Sequence, residues 1–189
     1  MTPKAKLLYV TNVSVDGYIE DEHGSIDWTE PDDEFYRFIT DLVRPVGTYL
    51  YGRRLYESMA VWETDPTLAD RSALMADFAG VWRAADKIVY STTLDGVSTT
   101  NTRLERHLDP ASVRAMKASA TSDLTVGGAN LTAHALAAGL VDEYHLFVHP
   151  VLVGGGKPAL PSDMRVELEL LDERPFGNGV VYLRYRIRI

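Results

Sequence analysis

Apolar residues along this chain fall into short runs and helical stripes that alternate over its first two thirds. LLYVTNV at 7–13 is a run of strand formers closed by the turn pair Asp16-Gly17. From Asp32, apolar residues recur at Phe35, Phe38, Ile39, Leu42 and Val43, the i, i+3, i+4, i+7, i+8 spacing of one helix face. Asp32 or Asp33 supplies its cap and Pro45 its stop. TYLY at 48–51 predicts a buried strand that passes through Gly52 into a short helix, RRLYESMA. Another helix starts near Ser72, with Leu74, Phe78, Val81, Trp82 and Ala85 along one side, and KIVY at 87–90 is the next strand. Asp109-Pro110 opens a helix in the favoured cap-then-proline order and turns Val113 and Met116 inward. LTV at 124–126 is a strand that runs into Gly127-Gly128, and the helix from Ala129 ends at Gly139.

The pattern then changes. EYHLFVHPVLVG is a long strand region broken by Pro150. The last ten residues alternate, with Val181, Leu183, Tyr185, Ile187 and Ile189 on one face and Tyr182, Arg184, Arg186 and Arg188 on the other. That is the pattern of an antiparallel strand with one wet face. Strands alternating with helices, followed by strands alone, predict an α/β fold: a mostly parallel sheet with an antiparallel C-terminal edge, flanked by helices. No repeat or linker interrupts residues 1–189, which read as one domain.

Composition narrows the chemistry. Lys+Arg 19 against Asp+Glu 27 leaves a net charge of −8, which argues against a protein that coats nucleic acid or an anionic membrane. Any anion must be caught by a local pocket. Zero cysteines exclude disulfides, thiolate metal sites and a thiol nucleophile, so redox chemistry needs a borrowed cofactor. Lys4 and Lys6 precede an apolar stretch too soon interrupted for a signal peptide, and no run reaches the roughly eighteen apolar residues of a membrane span. A cytoplasmic location is expected.

Three strand ends carry residues suited to a phosphate. Gly52-Arg53-Arg54 joins a tight exit to two guanidinium forks. Ser91-Thr92-Thr93 offers hydroxyl donors, and Gly127-Gly128-Ala129-Asn130-Leu131 lets a ligand approach the backbone where a helix begins. In open α/β sheets ligands bind beyond the carboxyl ends of the strands, so the coincidence of three such ends fits an extended dinucleotide. The arginines favour NADPH over NADH, because a 2′-phosphate needs cationic partners. The GxGxxG fingerprint is absent.

SVDGYIE (14–20), GRRLYES (52–58), KIVYSTT (87–93) and VGGANLTAHALAAGLVDEYHLFVHPVLVGGGKP (126–158) together resemble the dihydrofolate-reductase-like fold. Within it they are most similar to the reductase domain of the bacterial riboflavin-biosynthesis deaminase-reductase and its stand-alone relatives. The resemblance implies a three-layer fold around an eight-stranded sheet, NADPH as hydride donor, and a homodimer. By the same motifs, Arg53, Arg54, Ser91 and Thr92 surround the 2′-phosphate and pyrophosphate, Gly127 to Leu131 line the pyrophosphate and nicotinamide, and Asp16-Gly17 with Tyr18 and Ile19 form the loop over the nicotinamide. Leu55 stands where a threonine is usual, and Pro158-Ala159-Leu160 replaces a more basic and aromatic ending. The deaminase half of that enzyme, with its cysteine-bound zinc, has no counterpart here.

Hydride reduction also requires a proton, and Asp16, Asp32 and Asp33 are its candidate sources by position. A helix cap accounts equally well for Asp32 and Asp33, and a turn for Asp16. Trp28, Tyr56 and Trp62 are candidates to stack on a planar substrate. Gly154-Gly155-Gly156-Lys157 imitates part of a P-loop, but Pro158 follows where Ser or Thr is required, so it reads as a loop. His145 and His149 lie about 13 Å apart along one strand face, too far to share a metal, and His134 is expected to pack. Two classes of function are compatible with these residues: an NADPH-dependent reductase of a planar heterocycle, small-molecule in its partners, or a non-catalytic NADP-binding sensor or scaffold.

Overall fold

The computed structural model describes residues 5–188; Lys4 and Ile189, used in the sequence reading, lie outside them. The chain opens with β1 (Leu7–Ser14) and the short β2 (Tyr18–Glu20), followed by a 3₁₀ turn at Asp27–Thr29. Helix α1 (Asp33–Val43) starts where the apolar spacing placed it, with the Asp32 carboxylate accepting from Phe35 N at 2.8 Å. Strand β3 (Thr48–Gly52) leads at once into α2 (Arg53–Met59), α3 (Val61–Thr64), α4 (Pro66–Ala69) and α5 (Ala73–Ala84). Next come β4 (Asp86–Tyr90), β5 (Thr102–Glu105), α6 (Pro110–Ser119), β6 (Leu124–Gly127) and α7 (Ala129–Ala137). The chain closes with β7 (Glu143–His149), β8 (Lys157–Pro158), β9 (Leu168–Pro175) and β10 (Val181–Ile187).

Eight strands form one sheet in the order β5-β4-β3-β6-β1-β7-β10-β9, while β2 and β8 pair separately as a two-stranded ribbon. Every neighbour from β5 to β7 is parallel, and β10 joins β7 and β9 antiparallel. Helices cover both faces. On one, Leu7, Tyr9, Leu50, Ile88, Leu124 and Val126 pack with Val113 of α6 and Leu131, Ala135 and Leu136 of α7. On the other, Leu8, Tyr49, Tyr51 and Val89 pack with Val43, Tyr56 and Trp82, and Phe147 and Tyr182 pack with Phe35 of α1. Burying a side chain such as Leu50 or Ile88 completely contributes about 1.5–3 kcal/mol, which fixes the sheet as the rigid floor of whatever is built at its ends.

Two expectations need correction. Tyr182 is not on a wet face: it is 1% exposed, with its ring centroid 4.8 Å from Phe38 and 5.1 Å from Phe147. Alternation assigns residues to faces but does not say which face is covered, and α1 covers this end of β10. His134 does not pack inward either; it is exposed on α7. Strands β5 and β9 were missed because neither shows a buried run: β9 is an edge strand, mostly charged or exposed, as an unpaired edge requires.

Candidate functional site

Strands β4, β3 and β6 are consecutive neighbours, so the three phosphate-suited ends meet side by side at the carboxyl edge of the sheet. Beyond them lies a cleft of about 970 Å³. Its walls include Gly52, Arg53 and Arg54 after β3, Ser91, Thr92 and Thr93 after β4, and Gly128, Ala129, Asn130 and Leu131 at the start of α7. The far wall is Arg106, His107 and Leu108 after β5, with His134 of α7 and Lys157 of β8 also facing the space. Gly17, Ile19 and Gly127 do not line it. The first two sit at the turn and strand of the β2 ribbon, and Gly127 is buried behind the wall.

Backbone approach at the centre of the cleft depends on glycine. Gly128 has φ +93°, a conformation that residues with side chains rarely adopt, while a Cβ there would only reach van der Waals contact, 3.4 Å, with the Gly52 backbone. The backbone conformation thus favours glycine at 128 before any ligand enters. A Cβ on Gly127 would collide with the Leu55 side chain, so the leucine that replaces the usual threonine fills the space a larger residue at 127 would need. Gly128 offers no side-chain cap to α7, which leaves the amides of its first turn free to meet an anion.

The cleft walls carry Arg53, Arg54, Arg106 and Lys157 and no carboxylate, within a chain of net charge −8. Arg53 is held in place by Glu57 Oε1, 2.8 Å from its Nε, and donates from Nη1 to Thr93 Oγ1 at 3.0 Å. Arg54 is almost free, its nearest acid being Glu20 at 3.9 Å. Arg106 donates to the carbonyls of Ser91 (3.1 Å) and Leu94 (2.7 Å) and so braces the turn after β4. Within that turn Ser91 Oγ accepts the amides of Thr93 and Leu94, which makes the hydroxyl first a turn former and leaves Thr92 as the more open donor.

The candidate acids lie elsewhere. Asp16 is exposed and its carboxylate accepts from Val153 N at 3.2 Å and Gly154 N at 2.8 Å, tying the first turn to the loop after β7. The Ser14 hydroxyl and these amides hold its carboxyl below the usual carboxylate range, so at neutral pH it is ionised and poorly suited to giving up a proton. Asp32 is committed to its cap. Asp33 is exposed on α1, 3.6 Å from Arg37, and makes no backbone bond.

The aromatic candidates divide. Trp28 sits in the 3₁₀ turn with its ring edge-on to His149, centroids 5.5 Å apart, and its Nε1 is buried without a partner. His149 is itself buried and within hydrogen-bond distance of Asn12 Oδ1 at 3.0 Å; burial pushes its pKa down. Tyr56 and Trp62 are corrections. Tyr56 is 3% exposed and its hydroxyl accepts from Ser98 N at 2.8 Å, while Trp62 packs edge-on against Phe78 at 4.8 Å. Helical spacing cannot distinguish a core aromatic from a cleft aromatic; here Ser98 and Thr99 take the Tyr56 hydroxyl and Phe78 of α5 takes the Trp62 ring.

A sequence profile of the family described as the RibD C-terminal domain matches residues 5–182. The chain belongs to the RibD C-terminal domain family. Among curated proteins, this RibD C-terminal domain chain is 29% identical over 177 residues to the uncharacterized protein YyaP of Bacillus subtilis (strain 168), covering 92% of this chain and 90% of that one. Among solved structures, a putative riboflavin biosynthesis protein from Shewanella sp. PV-4 superposes with a TM-score of 0.73 at 18% identity, covering 98% of this chain and 99% of that one. Dihydrofolate reductase from Enterococcus faecalis, complexed with NADP(H), gives 0.65 at 16% identity over 97% of each chain. These likenesses establish a dihydrofolate-reductase-like fold, and membership of the RibD C-terminal domain family supports a reductase-type function. No helix of the described residues is long and apolar enough to cross a membrane.

Proposed function

We propose that this chain is an NADPH-dependent reductase that transfers hydride to a planar heterocycle of pyrimidine-like, pterin-like or flavin-like shape. The observation that carries this reading is the cationic cleft beside the uncapped start of α7, which an acidic chain has no other evident reason to keep free of carboxylates. The residues fit a dinucleotide. The free amides of Ala129, Asn130 and Leu131 suit a pyrophosphate, and Arg53, already oriented by Glu57 and Thr93, suits a 2′-phosphate together with Thr92 and Arg54. Bound there, NADPH supplies the hydride.

The remaining steps belong to the protein. Gly17 and Ile19, in the turn and strand that Asp16 ties to the loop after β7, would shield the transfer from water. Asp16 is therefore a positioning residue in this reading. Trp28, half-buried beside His149, would stack on the substrate. The proton would come through Asp33, the one acidic candidate with no backbone bond, or from water. We also propose a homodimer, supported by the neighbouring exposed side chains Val15 (60%) and Leu152 (73%), which a second copy would cover.

Steady-state oxidation of NADPH against a panel of pyrimidine, pterin and flavin compounds tests the reading. Turnover with at least one of them is expected. Tight NADPH binding without any oxidation would favour the sensor or scaffold, and absence of NADPH binding would overturn both.

A further inference from the structure

The GGGK segment, which fails as a P-loop, ends in the cleft. Its lysine, Lys157, is half-buried on the wall of the cleft and among the described residues forms no ion pair and no side-chain hydrogen bond. The other cations there are at least partly engaged: Arg53 with Glu57 and Thr93, Arg54 near Glu20, Arg106 with two carbonyls. An ammonium held partly out of water, with no acid of the described residues in ion-pair range and its cross-strand neighbour Glu20 nearer to Arg54, costs stability unless an anion meets it.

Lys157 is also held from both sides. Ahead of it, the Asp16 carboxylate accepts the amides of Val153 and Gly154, and Gly156, at φ +130°, presses so closely on the backbone of Glu20 and Asp21 that a Cβ would overlap the Glu20 carbonyl oxygen. Lys157 itself stands opposite Glu20 in the β2–β8 ribbon. After it, Ala159 N donates to Gly17 O at 2.9 Å, and the buried Tyr9 hydroxyl donates to Ala159 O at 2.9 Å. A run of three glycines is flexible on its own; here each end is pinned, so the lysine is presented from a fixed backbone. Such preorganisation is what a binding contact needs and a solvated surface lysine does not.

We propose that Lys157 contacts a phosphoryl group of a ligand in this cleft, as a compact point charge where the arginines act as forks. The phosphoryl group belongs either to the dinucleotide or to a phosphorylated substrate, and the proposal rests on the cleft's being the ligand site. The test is calorimetric titration of the full chain and its Lys157→Gln and Lys157→Arg variants with NADPH, and with ribose 5-phosphate on the NADPH-saturated proteins. Lys157→Gln should lose about tenfold in affinity in one of the two titrations, the size of one charge-assisted hydrogen bond, and Lys157→Arg should recover most of it. Loss with NADPH assigns the contact to the dinucleotide; loss with ribose 5-phosphate assigns it to the substrate. Affinities within twofold of wild type in both titrations overturn the proposal, provided melting curves match. If the wild type binds no NADPH, the dinucleotide reading fails separately, and inorganic pyrophosphate becomes the probe: a tenfold loss in Lys157→Gln still supports the lysine, and no difference overturns it.

Discussion

Charge gathers at two places on this sheet, and the two treat it in opposite ways. At the carboxyl ends of β4, β3 and β6, cations line an open cleft without a single carboxylate on its walls. Between β7 and β10, Glu143 is 1% exposed yet accepts from Lys6 Nζ at 2.6 Å and Arg184 Nε at 2.8 Å, and His145 beside it shares a 2.7 Å hydrogen bond with the Tyr182 hydroxyl. The second cluster places one carboxylate between two cations and braces β7 against β10 and the start of β1; the first has cations and no carboxylate on its walls. A buried, paired network is a structural device, whereas cations left without a carboxylate on an open cleft fit the binding role proposed for it.

The comparison breaks most severely at Glu143. Glu143→Ala leaves Lys6 and Arg184 without the carboxylate, and the expected loss is about 3 kcal/mol in urea unfolding, the low end for a broken buried pair because both cations keep a third or more of their side chains in water, with NADPH affinity unchanged in the protein that remains folded. A loss below about 1 kcal/mol would mean that the network does not brace the sheet.

Acid is the next largest perturbation. Burial, with the nearby Arg184 charge, pushes the His145 pKa from 6.5 down to about 4. Between those values the unfolded chain binds a proton that the folded chain refuses, so stability is full above pH 6.5 and falls as the pH drops toward 4, by about 3 kcal/mol from this group. Burial raises the Glu143 pKa, but the bonds from Arg184 and Lys6 outweigh it and the net shift is downward, which adds a further loss of the same sign at lower pH. Unfolding free energies measured in urea from pH 7 to 4.5 should show this slope, and His145→Asn should flatten it. Equal stability at both ends in the wild type would contradict the assignment.

At the cleft the effects move from stability to affinity. The Arg53–Glu57 pair is solvent-exposed, so Arg53→Ala should cost at most about 1 kcal/mol of stability. It should weaken NADPH binding by about tenfold, read by fluorescence titration. A variant that loses stability but not affinity would make Arg53 part of the scaffold.

Much of the cleft was legible in the chain because its central residues follow their strands directly. Gly52-Arg53-Arg54, Ser91-Thr92 and Gly128 to Leu131 are each one step beyond a recognisable apolar run, and parallel strands put those steps on one edge. Arg106, His107, His134 and Lys157 were not assigned to it. Arg106 and His107 follow a four-residue strand with no buried run, His134 lies on a helix whose orientation only packing decides, and Lys157 reaches the cleft through the pairing of β8 with β2, far apart in sequence. Tyr56, Trp62 and Tyr182 show the complementary limit: residue type and alternation offered the first two to a substrate and the third to solvent, and only packing, with Ser98 and Thr99 at the Tyr56 hydroxyl, α5 beside Trp62 and α1 over Tyr182, decided otherwise.

The central claim is that the cleft is built for a dinucleotide bearing a 2′-phosphate. Calorimetric titration of the wild-type protein with NADPH and with NADH under identical salt tests it most directly. The arginines after β3 predict that NADPH binds tighter by roughly 10- to 150-fold, the range expected of charge-assisted contacts worth about 1.5–3 kcal/mol. Equal dissociation constants for the two cofactors, or binding of neither, would contradict it.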